Sequence, residues 1–295
     1  MIISSAHAVL AVYDKRWIGD NMKTRLITSF VGAAVFFLVL LTPPIVFQLA
    51  TVIVTGIATY EIYSVTGIAK KLPLALSGCF GIALCALLGC MHLNDRIVTY
   101  DVCLLCMSVY IGFMFALMVF DHDNVKLADA AVAFFVSVFV AVLFSYLIPL
   151  REAEMGIYTI LSLFVGTWCA DSGAYFIGVR FGKHKMAPVL SPKKSWEGFF
   201  GGILGSIVGM LIYMAILSFM LHIEYNVPAL LLVAVGCAVL GPVSDIATSA
   251  IKREFNVKDY GTLFPGHGGI LDRFDSVLLT TPFVYFVSQI FKLFG

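Results

Sequence analysis

Charge is scarce in this chain. Asp, Glu, Lys and Arg make up 13% of its 295 residues, 60% are hydrophobic, and mean hydropathy is +0.97. A soluble globular domain carries about 25% charged residues, so an ordinary soluble enzyme is excluded. Paired metal-binding cysteines are missing as well. Cys103 and Cys106 form a C-x-x-C inside an apolar stretch with no second pair, which argues against zinc and leaves the cysteines as small buried hydrophobes. The apolar patch Ala6–Tyr13 has no basic residue ahead of it, so it does not read as a signal peptide. There is no internal repeat, low-complexity tract or soluble domain, and no nucleic-acid partner is expected.

What is present is a series of uncharged windows of the roughly 20 residues needed to cross a hydrocarbon core of about 30 Å. They predict an all-α polytopic membrane protein with nine spans, near 26–42, 45–65, 73–92, 99–120, 128–149, 156–179, 197–221, 228–250 and 270–292. Pro43-Pro44 makes the first connection a tight turn, because proline stops one helix and can open the next. Residues 1–25 read as an N-terminal extension, 26–150 as a transmembrane scaffold and 151–295 as the catalytic region.

The few basic residues set the orientation. With a cytosolic N-terminus, one side receives Lys15, Arg16, Lys23, Arg25, Lys70, Lys71, Lys126, Arg180, Lys183, Lys185, Lys193, Lys194, Lys252, Arg253, Lys258 and Arg273. The other side receives only Arg96, Arg151 and Lys292. That is a strong positive-inside bias. Both long cytosolic connections, 180–196 and 251–269, fall in the last part of the chain, where function is expected.

Carboxylates within spans are costly and therefore functional candidates. Asp171, Asp245 and Asp272 all fall at the inner-leaflet ends of their spans, near the depth of a phospholipid headgroup. Glu61 is the main charge among the earlier spans. Carboxylates beside basic loops suggest a hard-cation site that handles phosphate, since magnesium takes one or two carboxylates and completes its shell with water and phosphates. Lys193 and Lys194 either neutralise phosphate or only fix topology. Ser195 is placed to cap the following helix, whose N-terminus attracts anions, and Trp196 reads as an interfacial anchor. His267, between glycines, fits a ligand-contacting loop or a solvated turn. Asp275, one turn after Asp272, could ligate metal or pair with a base, and Asp259 reads as a loop carboxylate.

Together the residues become specific. Ser249-x-x-Lys252-Arg253, then Lys258-Asp259, then Pro265-Gly266-His267-Gly268-Gly269-x-x-Asp272-Arg273-x-Asp275 closely resembles the signature of the phosphatidate cytidylyltransferase, or CDP-diacylglycerol synthase, family. Asp171-Ser172-Gly173-Ala174-Tyr175-Phe176 and Ser191-Pro192-Lys193-Lys194-Ser195-Trp196-Glu197-Gly198 match its other two recurrent stretches in order and spacing. The likeness is firm over about 165–280 and only hydropathic before it, with Glu61 the one earlier residue that fits the family. One position departs: Ser244 stands before Asp245 where the family usually has glycine.

The resemblance implies transfer of a cytidylyl group from CTP to phosphatidate, giving CDP-diacylglycerol and pyrophosphate. It implies magnesium, with a second cation left open, held by Asp245, Asp272 and Asp275. Lys252, Arg253 and Lys258 would join in catalysis. Asp171, Ser191, Lys193, Lys194, Ser195, Glu197, Ser249, His267, Gly268, Gly269 and Arg273 would contact substrate. It also suggests a homodimer. The compact 295-residue form points to a bacterial inner (cytoplasmic) membrane, and the distribution of basic residues puts the active site at its cytosolic leaflet. A lipid kinase on a similar fold would need a base to activate a neutral hydroxyl. A transporter would show paired half-repeats and midplane sites, and CDP-alcohol phosphotransferases need a D-G-x-x-A-R run that is missing here.

Overall fold

The computed structural model describes residues 27–28, 30–89, 96–264, 266 and 268–295. Helices α1 (Phe30–Leu41), α2 (Pro44–Thr66), α3 (Leu72–Gly89), α4 (Arg96–Phe120) and α5 (Leu127–Ser145) form the first half. A short α6 (Leu147–Glu152) leads to α7 (Gly156–Phe181), a hairpin of β1 (Lys185–Ala187) and β2 (Ser191–Ser195), and α8 (Trp196–Met220). Then come α9 (Val227–Glu254), a single turn α10 (Leu271–Phe274) and α11 (Val277–Ile290). Among the described residues, seven helices are long and apolar enough to cross a membrane, while α1 and α11 are shorter. This is an all-α polytopic membrane protein.

Pro43 and Pro44 open α2 directly after α1. Buried Arg151 donates to the Leu40 and Thr42 carbonyls (3.0 and 2.8 Å) and so satisfies the end of α1. In α2–α5 the Tyr63 hydroxyl reaches Ser77 Oγ (3.0 Å), Ser137 Oγ (2.5 Å) and the Ala133 carbonyl (2.9 Å), and Tyr110 donates to Ser137 (3.0 Å). Lipid tails give apolar helices little reason to associate, so such polar contacts and close small-residue packing must supply cohesion. The second half uses small residues: a Cβ on Gly205 would meet the Cys169 carbonyl at 2.6 Å, so α7 and α8 touch backbone to backbone. Ser206 Oγ, 2.9 Å from Gly166 O and 2.8 Å from Ala234 O, adds α9 to the pair.

Two local features differ from the sequence reading. The 180–196 connection is not a plain loop, since β1 and β2 pair antiparallel, with Lys185 opposite Ser195 and Ala187 opposite Ser191. Pro192 is tolerated because a two-stranded hairpin consists only of edges. The expected helix over 270–292 is broken at Asp275–Ser276. There the Ser244 hydroxyl donates to the Asp275 carbonyl and accepts from Leu279 N–H (3.3 Å), inserting a side chain where a helical i to i+4 bond would run.

Candidate active site

Pro242 lies inside α9, one turn before its polar end. Lys194, arriving on β2, donates to the Pro242 carbonyl at 2.9 Å and pairs with Asp245 at 2.7 Å. The hairpin is thereby pinned to the proline turn of α9. Asp245 also faces Asp171 on α7 and Asp275 ahead of α11, close enough for the charges to interact. Ser276 Oγ donates to Asp171 at 3.4 Å. Asp171, Lys193, Lys194, Ser195, Tyr175 and Pro242 line a cleft of about 190 Å³. Three helices and the hairpin thus bring carboxylates and lysines to one end of the bundle.

Ser195 caps α8 by accepting from Gly198 N–H at 3.2 Å. Ser191 opens β2 opposite Ala187. Glu197 accepts from Lys183 N–H (3.2 Å) and His184 N–H (3.2 Å), and its Oε1 lies 2.6 Å from His184 Nδ1. Its carboxylate therefore braces the start of the hairpin.

The signature loop is held from two sides. Asp272 Oδ1 pairs with buried Lys252 at 2.9 Å, and its Oδ2 accepts from Tyr260 N–H (2.8 Å) and Gly269 N–H (2.9 Å). Buried Glu61, from α2, accepts from Ile270 N–H (2.8 Å) and Leu271 N–H (2.9 Å). A Cβ on Gly269 would lie 2.3 Å from Glu61 Oε1, so only glycine allows this approach. Gly268, with φ +82, accepts from Phe264 N–H at 2.9 Å. Tyr260 donates to the Thr248 carbonyl at 2.7 Å, and its ring lies under the Lys252 ammonium. Burial, then the Asp272 and Asp275 carboxylates, push its phenol up, so it stays a neutral donor.

Of the other expected residues, Ser249 donates to Asp245 at 3.3 Å. Arg253 bonds the Val257 carbonyl at 2.8 Å, and Lys258 is exposed. Arg273 is exposed and lines a separate aromatic groove. His267 lies outside the described residues. Asp245 pairs with Lys194, which lines the cleft, and Asp275 lies near enough to Asp245 for their charges to interact, whereas Asp272 is occupied with Lys252 and the loop. The sequence reading gave no role to Tyr260, Ser276 or Pro242. Tyr260 lies within the signature, directly after Asp259, but nothing in its spacing reveals an N–H aimed at Asp272.

The profile of the cytidylyltransferase family matches residues 23–291. The chain belongs to that family. Among its relatives, the phosphatidate cytidylyltransferase of Bacillus subtilis is 32% identical over 280 residues, 92% of this chain and 99% of the relative. The phosphatidate cytidylyltransferase of Staphylococcus saprophyticus is 32% identical over 263 residues, 88% of this chain and 96% of the relative. That of Staphylococcus epidermidis is 33% identical over 262 residues, with the same coverage of 88% and 96%. For this cytidylyltransferase-family chain the likeness reaches well beyond 165–280 and includes the α2 helix that supplies Glu61.

Proposed function

We propose that this chain is a membrane-embedded phosphatidate cytidylyltransferase. A phosphate oxygen of phosphatidate attacks the α-phosphorus of CTP. The new P–O bond makes CDP-diacylglycerol, and the bond to the β-phosphate breaks as pyrophosphate leaves with its oxygen. The observation that carries the reading is the convergence of Asp171, Lys193 and Lys194 on one cleft, with Asp245 paired to Lys194 at 2.7 Å and Asp275 near enough to Asp171 and Asp245 for their charges to interact. The family and the relatives' names give it chemical direction.

The nucleophile is already anionic, so the protein needs no strong base. Its work is to bring two polyanions together, align them and offset charge. Lys193 and Lys194 line the cleft and suit phosphate oxygens. The Glu61 and Asp272 contacts fix the loop beside it.

Among the described residues, no group of three or more His, Cys, Asp or Glu side chains closes tightly enough to hold a metal unaided. Magnesium does not require that, since one or two carboxylates suffice when water and phosphate complete the shell. The donor set therefore fits. We assign Asp245 and Asp275 to the ion, and Asp272 to the loop and Lys252. Bound magnesium would supply neutralisation of phosphate charge and polarisation of the phosphoryl group. A second cation remains part of the proposal.

We further propose nine crossings, with α1 and α11 as the outermost in sequence, a cytosolic N-terminus and the cleft at the inner leaflet of a bacterial cytoplasmic membrane. The distribution of basic residues supports this orientation. In it, 26–150 forms the scaffold, 151–295 carries the chemistry, and a homodimer is the working form. Product analysis tests the reaction. Pyrophosphate and a CDP-lipid support it, whereas a nucleoside diphosphate and a lipid phosphate from a lipid alcohol would replace it with a kinase.

A further inference from the structure

The face of α7 that carries Asp171 and Tyr175 into the cleft continues through Trp168 and Phe164. Steps of four, three and four residues keep these side chains on one side of a helix. The rise per residue puts Trp168 about 4.5 Å and Phe164 about 10 Å further from the polar end than Asp171. There they line a second, open-sided hollow of about 390 Å³, together with Phe36 of α1, Phe264, Phe274 and Arg273. Phe36 packs at 4.4 Å from Phe164 and 5.9 Å from Trp168, and Phe164 at 6.4 Å from Phe274 (ring centroids). Trp168 is nonetheless 43% exposed, so an apolar ligand has aromatic surface to cover.

We propose that this groove seats an acyl chain of phosphatidate, with Arg273 at its rim receiving the phosphate. The inference rests on the proposed reaction and deepens it. An aromatic floor, one cation and a position deeper along the same helix face as the carboxylates match an amphiphile with an anionic head. Helix α7 ties the groove to the cleft, since Asp171 lines the cleft and Trp168, three residues earlier, lines the groove. A guanidinium fork suits the phosphate monoester. Trp168 and Phe164, at the depth of the first methylenes, then set which chains are accepted.

A full-length variant with Trp17→Phe and Trp196→Phe leaves Trp168 as the single tryptophan. Its fluorescence is read in bilayer discs containing lipids brominated on the acyl chains, which quench tryptophan on contact. At equal mole fraction, brominated phosphatidate is expected to deepen the loss beyond brominated phosphatidylglycerol or phosphatidylcholine, and Arg273→Ala to remove the excess. Equal quenching by all three lipids overturns the groove as a binding site. Equal quenching by phosphatidate and phosphatidylglycerol overturns the commitment to phosphatidate. The headgroup comparison alone decides this if Arg273→Ala fails to fold. Selective quenching without CDP-lipid synthesis in the same discs would retain the lipid site and remove the reaction. Synthesis without selective quenching would do the reverse.

Discussion

Glu61 accepts the N–H of Leu271 at 2.9 Å, across 210 positions of sequence. With its second bond, to Ile270, it fastens the signature loop to α2. Hydrogen bonds to a buried charge contribute about 1.5–3 kcal/mol each. Glu61→Ala is therefore expected to lower the rate at least about tenfold and to expose the Ile270 and Leu271 amides. Glu61→Gln, which keeps one acceptor oxygen, should fall between. Hydrogen exchange over 260–271 checks this, and unchanged exchange in Glu61→Ala would contradict it.

Asp245 and Asp272 should separate by phenotype. Asp272→Asn leaves the buried Lys252 ammonium without its anion, which costs about 3–5 kcal/mol. Its melting temperature should fall at every magnesium concentration. Asp245→Asn should remain folded and lose turnover or need far more magnesium. Similar melting curves with similar magnesium dependence would remove the distinction between the two roles.

Much of this site was legible because a carboxylate inside an apolar helix is costly wherever it occurs. Asp171 and Asp245 stand out on that ground alone, and the basic loops set their common end. The Glu61 contact was not legible, since nothing near residue 61 says which backbone it meets. Nor was the break before α11: Asp275 and Ser276 read as continuing helix, and the side chain that interrupts them comes from α9. In the first case the partner lies far along the chain, and in the second a tertiary insertion overrode a local helical pattern. The hairpin at 185–195 escaped notice because its strands are short and carry a proline.

Ser244 tests that explanation. Ser244→Val removes the hydroxyl that satisfies Asp275 C=O and Leu279 N–H and should destabilise by about 1–3 kcal/mol. Ser244→Gly, which restores the family's usual residue, leaves room for a water and should be milder. Thermal melting in one detergent ranks them, and equal stability of both variants with the parent would contradict the bridging role.

Lys194 joins the hairpin to α9 and faces the cleft. Lys194→Met should raise the KM for CTP and lower kcat, because both the charge and the hairpin anchor are lost. Lys194→Arg should recover only part, since a planar fork replaces a compact ammonium. Steady-state kinetics in CTP reads both effects, and full activity in Lys194→Met would remove the residue from the site.

The most direct measurement follows the α-phosphate. Purified protein is given CTP labelled there, phosphatidate and magnesium, and label is counted in the lipid phase for the parent and for Asp245→Asn. The account predicts lipid-borne CDP from the parent, abolished by chelator and reduced at least about a hundredfold in the variant, the scale set by loss of key charge stabilisation. Label that stays in water-soluble nucleotide with the parent protein would contradict the account.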